Sequence, residues 1–344
     1  MKSKKILFIF IAALLILAAV FGYFYFGQQS AKSAAETATG GEQPVELIQL
    51  AGAVADASAE VSGLAWHGDL LILLPQYPER FGEGDGALFA LPKADILNYL
   101  DGKSTAPLTP TIIKLNAAGL KESIPNFQGY EAIGFHGDQI FMTIEAGEGA
   151  DMHGYLVSGT IAENEIQLDT SKVVEIPLPI ASENHTDEAL IVTDDKVLTF
   201  YELNGADLNP QPAAQAFNFE LVPEASISLP QLEYRLTDAA ITPDGKIWVT
   251  NYFFPGDKDM LPKVDPLAQT FGEGSTHSQY DHVERLVELS YSDSGITLTD
   301  TAPIQMMLEE DARNWEGLVM LDQRGFLVAT DKYPGTLLGF IAMP

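Results

Sequence analysis

The sequence contains no cysteine, which excludes a disulfide framework, a thiolate metal site and a lipidated cysteine anchor. Basic residues are scarce, 19 Lys and Arg against 48 Asp and Glu over 344 residues, for a net charge of −29. Such a surface repels phosphodiester backbones, so nucleic acid is not an expected partner and cations are. Also missing are a Walker P-loop, a G-x-G-x-x-G turn, a G-x-S-x-G elbow, an H-E-x-x-H pair and an EF-hand loop. What remains is globular in composition, 46% hydrophobic and 10% aromatic.

The one long apolar run is at the start. Lys2, Lys4 and Lys5 precede an uncharged stretch from Ile6 to Phe26, which as a helix would span roughly 30 Å, enough to cross a bilayer. A cleaved signal peptide is the competing reading, but "FGYFYFG" carries the run onward with aromatics suited to a membrane interface. Either way the rest is exported: cell-membrane, single-pass and extracytoplasmic if anchored, secreted if cleaved. Residues 27–44, small and polar, form a flexible tether, and the folded domain is expected over 45–344. Without the three anchor lysines the exported part has 16 basic residues against 48 acidic ones.

A repeat lies within that domain. "VSGLAW", "YEAIGF", "DEALIV", "TDAAIT" and "WEGLVM" superimpose so that Ser62, Glu131, Glu188, Asp238 and Glu316 share one column. Gly63, Ala132, Ala189, Ala239 and Gly317 share the next. Each copy runs into a turn and a second apolar strand, the mark of five β-hairpins. Two further strand-like segments follow most copies, in the second copy "GYLVSGTIAENEIQLD" and "VVEIPLPI". Four antiparallel strands per unit predict a propeller blade. The column spacings, 69, 57, 50 and 78 residues, leave no sixth blade, because the last gap holds a polar insertion from Phe254 to Asp281. The fifth copy ends after three strands, and "VELIQL" at 45–50 can supply the fourth, removing an open edge. The expected fold is all-β, a five-bladed β-propeller closed by strand exchange between its termini.

In a propeller the first strand of each blade lines the central channel. The Gly/Ala column then reflects crowding, and the acidic column brings Ser62, Glu131, Glu188, Asp238 and Glu316 into one ring. Four carboxylates at close quarters cannot all ionise without compensation. A hard cation with oxygen ligands resolves this, and calcium suits the set. The second strands end on the same rim, giving Gln76, Glu145, Glu202, Asn251 with Tyr252, and Asp331 with Lys332. Loops 77–86 and 254–281 are expected to wall a pocket, with Arg80, Arg235, Arg313 and Lys332 as the cations near it. His67 and His136 belong to matching turns on the opposite face, His153 to a loop, and His185 to the approach to the channel mouth.

The stretch "NWEGLVMLDQRGFLVATDKYPGTLLGFI" resembles the closing segment of the phytase-like, or esterase-like, propeller family: an N-x-E-G-L phrase, a hairpin, an S/T-D phrase and a final strand. "VSGLAWHGDLLILLPQ" resembles its opening phrase, with "PQ" where an aspartate is expected. More distantly, Ser62, Glu131, Glu188 and Glu316 are similar in kind to the channel calcium ligands of the five-bladed apyrases, whose flanking motifs are absent. The first resemblance implies phosphate-ester or other ester hydrolysis. The resulting expectation is a monomeric calcium-dependent hydrolase of a small anionic ester, with metal-bound water as nucleophile. Glu145, Glu202 or His185 would move the proton, and Arg80, Arg235, Asn251, Asp331 and Lys332 would contact substrate. The alternative is a non-catalytic binding or interaction propeller with a structural calcium.

Overall fold

The computed structural model describes residues 41–344 apart from residue 293. The expected anchor over 1–26, and residues 27–40 of the tether, lie outside the described residues. Among the described residues no helix is long and apolar enough to cross a membrane. Gln43–Pro344 forms one compact unit.

That unit is all-β. After β1 (Glu46–Ile48), β2 (Val61–His67), β3 (Leu70–Pro75), β4 (Ala87–Pro92) and β5 (Thr111–Asn116) form an antiparallel meander. A second follows: β6 (Phe127–His136), β7 (Gln139–Glu148), β8 (Asp151–Ala162) and β9 (Glu165–Ile176). The third is β10 (Asp187–Val192), β11 (Val197–Tyr201), β12 (Ala213–Phe217) and β13 (Ile227–Ser228). The fourth has β14 (Arg235–Ile241), β15 (Lys246–Phe253), β16 (Val283–Ser292) and β17 (Gly295–Leu298), with β18 (Ile304–Gln305) also pairing β16. The last has β19 (Trp315–Leu321), β20 (Gly325–Thr330) and β21 (Leu338–Ala342), completed by β1, which pairs antiparallel with β21 from Glu46↔Phe340 to Ile48↔Leu338. The first two sets merge into one eight-stranded sheet, because β5 and β9 pair in parallel.

The innermost strands touch in a closed cycle, β2 to β6, β6 to β10, β10 to β14, β14 to β19 and β19 back to β2. Apolar seams fill the wedges between neighbouring sets. Ile72 and Met142 lie in the seam between the first and second sets, Phe141 and Phe217 in the next. Phe200 and Val249 follow, then Trp248 and Phe326, then Leu73 and Leu327, which joins the last set to the first. Alternating residues of one strand therefore feed two seams, which is why these strands are apolar on both faces rather than half polar. The architecture is propeller-like.

The five expected hairpins are present. Two "HGD" turns depend on Gly68 and Gly137, at φ 58 and 59, a region where a Cβ is strained. One segmentation differs from the sequence reading: "GYLVSGTIAENEIQLD" is not a single strand but spans the β8–β9 hairpin, and β9 continues through "VVEI". Asn164 and Glu163, at φ 54, make the turn that an apolar count alone passes over. His153 likewise lies in β8 rather than a loop, with Nδ1 2.7 Å from Glu175 Oε1.

Candidate functional site at the acidic channel mouth

Strand pairing breaks register at the same place in all five innermost hairpins: between Val61 and Gly63, Tyr130 and Ile133, Asp187 and Ala189, Leu236 and Ala239, and Trp315 and Gly317. The skipped residues include Ser62, Glu131, Glu188, Asp238 and Glu316, so the whole acidic column sits in bulges. A bulge turns a side chain out of the pleat and re-aims it. In two sets a threonine of the second strand supports it: Thr143 Oγ1 accepts the Ala132 N–H at 2.9 Å, and Thr250 Oγ1 accepts the Asp238 N–H at 2.6 Å. The small column is crowded as expected. A Cβ on Gly317 would lie 2.6 Å from Leu64 Cγ, and one on Gly63 3.2 Å from the Glu131 carbonyl oxygen.

A cavity of about 740 Å³ opens at the end of the channel where the innermost strands begin. Glu131, Glu188 and Glu316 line its floor, with Glu145 and Asp331 beside them. Burial, then repulsion from neighbouring carboxylates, raises Glu131, Glu188 and Glu316 well above the usual carboxylate range. For Glu188 the neighbours are Glu202, then Glu316. Burial first, and then Glu202, pushes Glu145 up to about 7, and burial pushes Asp331 up to about 6. Compensation is partial: Gln76 Nε2 donates to Glu131 Oε1 at 2.9 Å, Asn314 Nδ2 to Glu316 Oε1 at 2.6 Å and Thr186 Oγ1 to Glu145 Oε2 at 3.2 Å. Glu188 Oε2 and Asp331 Oδ1 are buried without a hydrogen-bond partner among the described residues.

Two members of the expected ring are elsewhere. Ser62 Oγ donates to the Tyr130 carbonyl at 3.0 Å, and the residue does not line the cavity. Asp238 is 3% exposed and accepts the N–H of Leu318 at 2.6 Å and of Ala239 at 2.8 Å. Its carboxylate is consumed by backbone donors. The five-member column therefore reduces to three carboxylates on the cavity. Their oxygens are of the hard kind that calcium takes. Among the described residues, no group of three or more His, Asp or Glu is gathered as a ready-made metal shell.

The expected cations fare differently. Arg235 lines the cavity, but its Nη1 donates to Glu202 Oε1 and its Nε to Asp257 Oδ2 at 2.8 Å. Arg80 is drawn away to Glu60 Oε1 at 2.7 Å and the Ser58 carbonyl at 3.0 Å, so loop 77–86 does not wall the cavity. Lys332 is exposed and does not line the cavity, lying 5.9 Å over the Tyr333 ring. Arg313 is buried against Glu284, with Nε 2.9 Å from Oε2. Asn251 is 1% exposed: Nδ2 donates to the Glu233 carbonyl at 2.8 Å and Oδ1 accepts from Arg285 Nε at 2.7 Å. It therefore faces into the sheet and not toward a ligand.

His185 is held by Ser182, with Oγ and Nδ1 2.9 Å apart, and its Nε2 lies 3.8 Å from Glu202 Oε2. Neither residue lines the cavity; Glu202 lies behind Arg235. Sequence reasoning missed Asp311, Ala312, Tyr333 and Pro334, which form much of the remaining wall. The turn-forming "KYPG" was the available signal for the last two. At the other end of the channel, Trp66, Phe135, Val192, Ile241 and Met320 form an apolar mouth, opposite in character.

No known sequence family matches the chain, and no curated protein does. Among solved structures, a glutaminyl cyclase of Myxococcus xanthus is similar at 8% identity and TM-score 0.44, over 88% of this chain and 100% of that one. An α-L-arabinanase of Cellvibrio cellulosa is similar at 12% identity and TM-score 0.43, over 81% and 90%. A glycosyl hydrolase of Bacteroides ovatus is similar at 8% identity and TM-score 0.44, over 90% and 92%. At these scores the likeness is remote, and no activity transfers from it.

Proposed function

We propose that the chain is an exported, membrane-anchored five-bladed β-propeller whose acidic channel mouth binds calcium, and that binding rather than turnover is its primary role. The observation that carries the reading is Glu188: its Oε2 is buried with no hydrogen-bond partner among the described residues, and burial, then Glu202 and Glu316, raises it. Isolated buried carboxylates are expensive, and a divalent cation would compensate them. Glu131, Glu188 and Glu316 would hold the ion, which would supply positive charge to ligand oxygens. Five blades accord with the cycle of innermost strands and the closing β1–β21 pair. The phytase-like affinity rests on Asn314, Glu316, Gly317 and Leu318, and export on the apolar N-terminus.

Hydrolysis of a small anionic ester is the second reading. Glu145, pushed to about 7, favours it, because a group poised near neutrality can give and take a proton. Against it stands the shortage of anion-binding groups, since Arg235, the one lining cation among the described residues, is already ion-paired twice.

Thermal melting of the full-length chain tests the first reading. A chelator should lower the midpoint and calcium restore it, because a ligand of the native state raises stability. A midpoint indifferent to both would overturn calcium binding. A screen of phosphate esters and nucleotides, with and without chelator, tests the second; turnover lost in Glu145→Gln would promote it over the first.

A further inference from the structure

Calcium leaves much of the cavity unexplained. A metal ion coordinated by oxygens has no use for aromatic walls, yet Tyr252, Phe254 and Tyr333 all line this space. Phe254 and Tyr333 are 48% and 62% exposed at the mouth, on two different loops. Tyr252, deeper, is 5% exposed and also lines the cavity. Acids stand at two levels: Glu131, Glu188 and Glu316 in the strand bulges, and Asp311 and Asp331 in the loops that follow the strands, Asp257 being already paired to Arg235. A single ion neutralises two of these charges at most.

We infer that the cavity takes an aliphatic polyamine. Ammonium groups carry N–H donors for the carboxylates. The methylene chain between them spans the two acidic levels, and the exposed aromatic rings cover an ammonium at the mouth by cation–π attraction. An anionic ligand meets no unpaired cation here, and a neutral one leaves buried carboxylates uncompensated. The inference rests on the reading of this cavity as a cation site, and not on calcium as the cation.

Spermidine titrated calorimetrically into the full-length chain at about 0.15 M salt tests it, in chelator and again in excess calcium. Saturable binding of one spermidine per chain is expected, with no binding of a neutral diol of equal length. The Phe254→Ala, Tyr333→Ala double variant should bind at least about tenfold more weakly, the loss of two modest cation–π contacts, with an unchanged melting midpoint when unliganded. Absence of saturable binding overturns the inference, as does undiminished affinity in the double variant, which would reduce binding to the attraction of any anionic protein for a polycation. A calcium-dependent melting shift without spermidine binding refutes the polyamine and leaves the metal standing; spermidine binding without a calcium response does the reverse.

Discussion

Asp238 accepts the backbone N–H of Leu318 at 2.6 Å, from one innermost strand to the next, and the Leu64 amide also approaches it. One carboxylate thus ties β14 to β19 and β2, and the channel is bridged by hydrogen bonds at this level. An acid that the sequence aligns with cation ligands is structural.

The consequence is measurable. Asp238→Ala leaves the buried Leu318 and Ala239 donors without an acceptor, at about 1–3 kcal/mol each. A loss of about 2–6 kcal/mol in urea unfolding is expected, with the calcium response of the remaining folded protein intact. A loss below about 1 kcal/mol, or an abolished calcium shift, would return Asp238 to the ligand set.

Glu188→Gln should act in the opposite sense. The substitution removes one charge from a crowded buried group while keeping its shape, so without divalent cation at about pH 8.5 the variant should melt higher than the parent. An increment of about 1 kcal/mol corresponds to roughly 2 °C for a domain of this size. Its calcium-dependent shift should disappear. Destabilisation in chelator would mean that Glu188 has a partner in the native state and that the cluster is not under electrostatic stress.

How much of this was legible in the sequence divides along physical lines. The repeat, the hairpins and the closing role of 45–50 follow from apolar pattern and turn residues, which local sequence specifies. The acidic column was visible because Gly or Ala follows each member. The aim of each side chain was not: bulges at Val61/Gly63 and its four counterparts break the alternation from which facing is deduced. Asp238 and Glu188 therefore look alike in sequence and differ in what lies opposite. Asn251 fails as a rim ligand for a different reason: Arg285 stands directly opposite it on the neighbouring strand β16 and takes its Oδ1. The Asp311 and Tyr333 walls come from loops, where no periodicity exists to read.

Arg235 provides a test of whether the one lining cation serves a ligand or the fold. Glu202 is fully buried and ion-paired to it, so Arg235→Met leaves a buried charge uncompensated. Breaking such a pair from one side costs about 3–5 kcal/mol. The double variant Arg235→Met, Glu202→Leu should recover most of that loss in urea unfolding. If the single variant is lost by less than about 1 kcal/mol, Arg235 is free to bind an anion and the hydrolase reading gains ground.

The acidic mouth also fixes a pH dependence. Glu145 and Asp331 have folded values near 7 and 6, above the ordinary 4.5 and 3.8, with burial the leading cause in both. The native state therefore holds protons more tightly than the unfolded chain. Their stabilising contribution is complete below about pH 4 and is lost as pH rises through 6 and 7, by the order of 3 kcal/mol for Glu145. In chelator the melting midpoint should fall between pH 5 and about 8. Calcium should oppose the fall most strongly at the upper end, where the carboxylates it would pair with are ionised. Melting curves at each pH, with chelator and with calcium, check both slopes. A midpoint that rises with pH in chelator would mean that the carboxylates gain internal partners on folding, and the case for a cation at this mouth would fail with it.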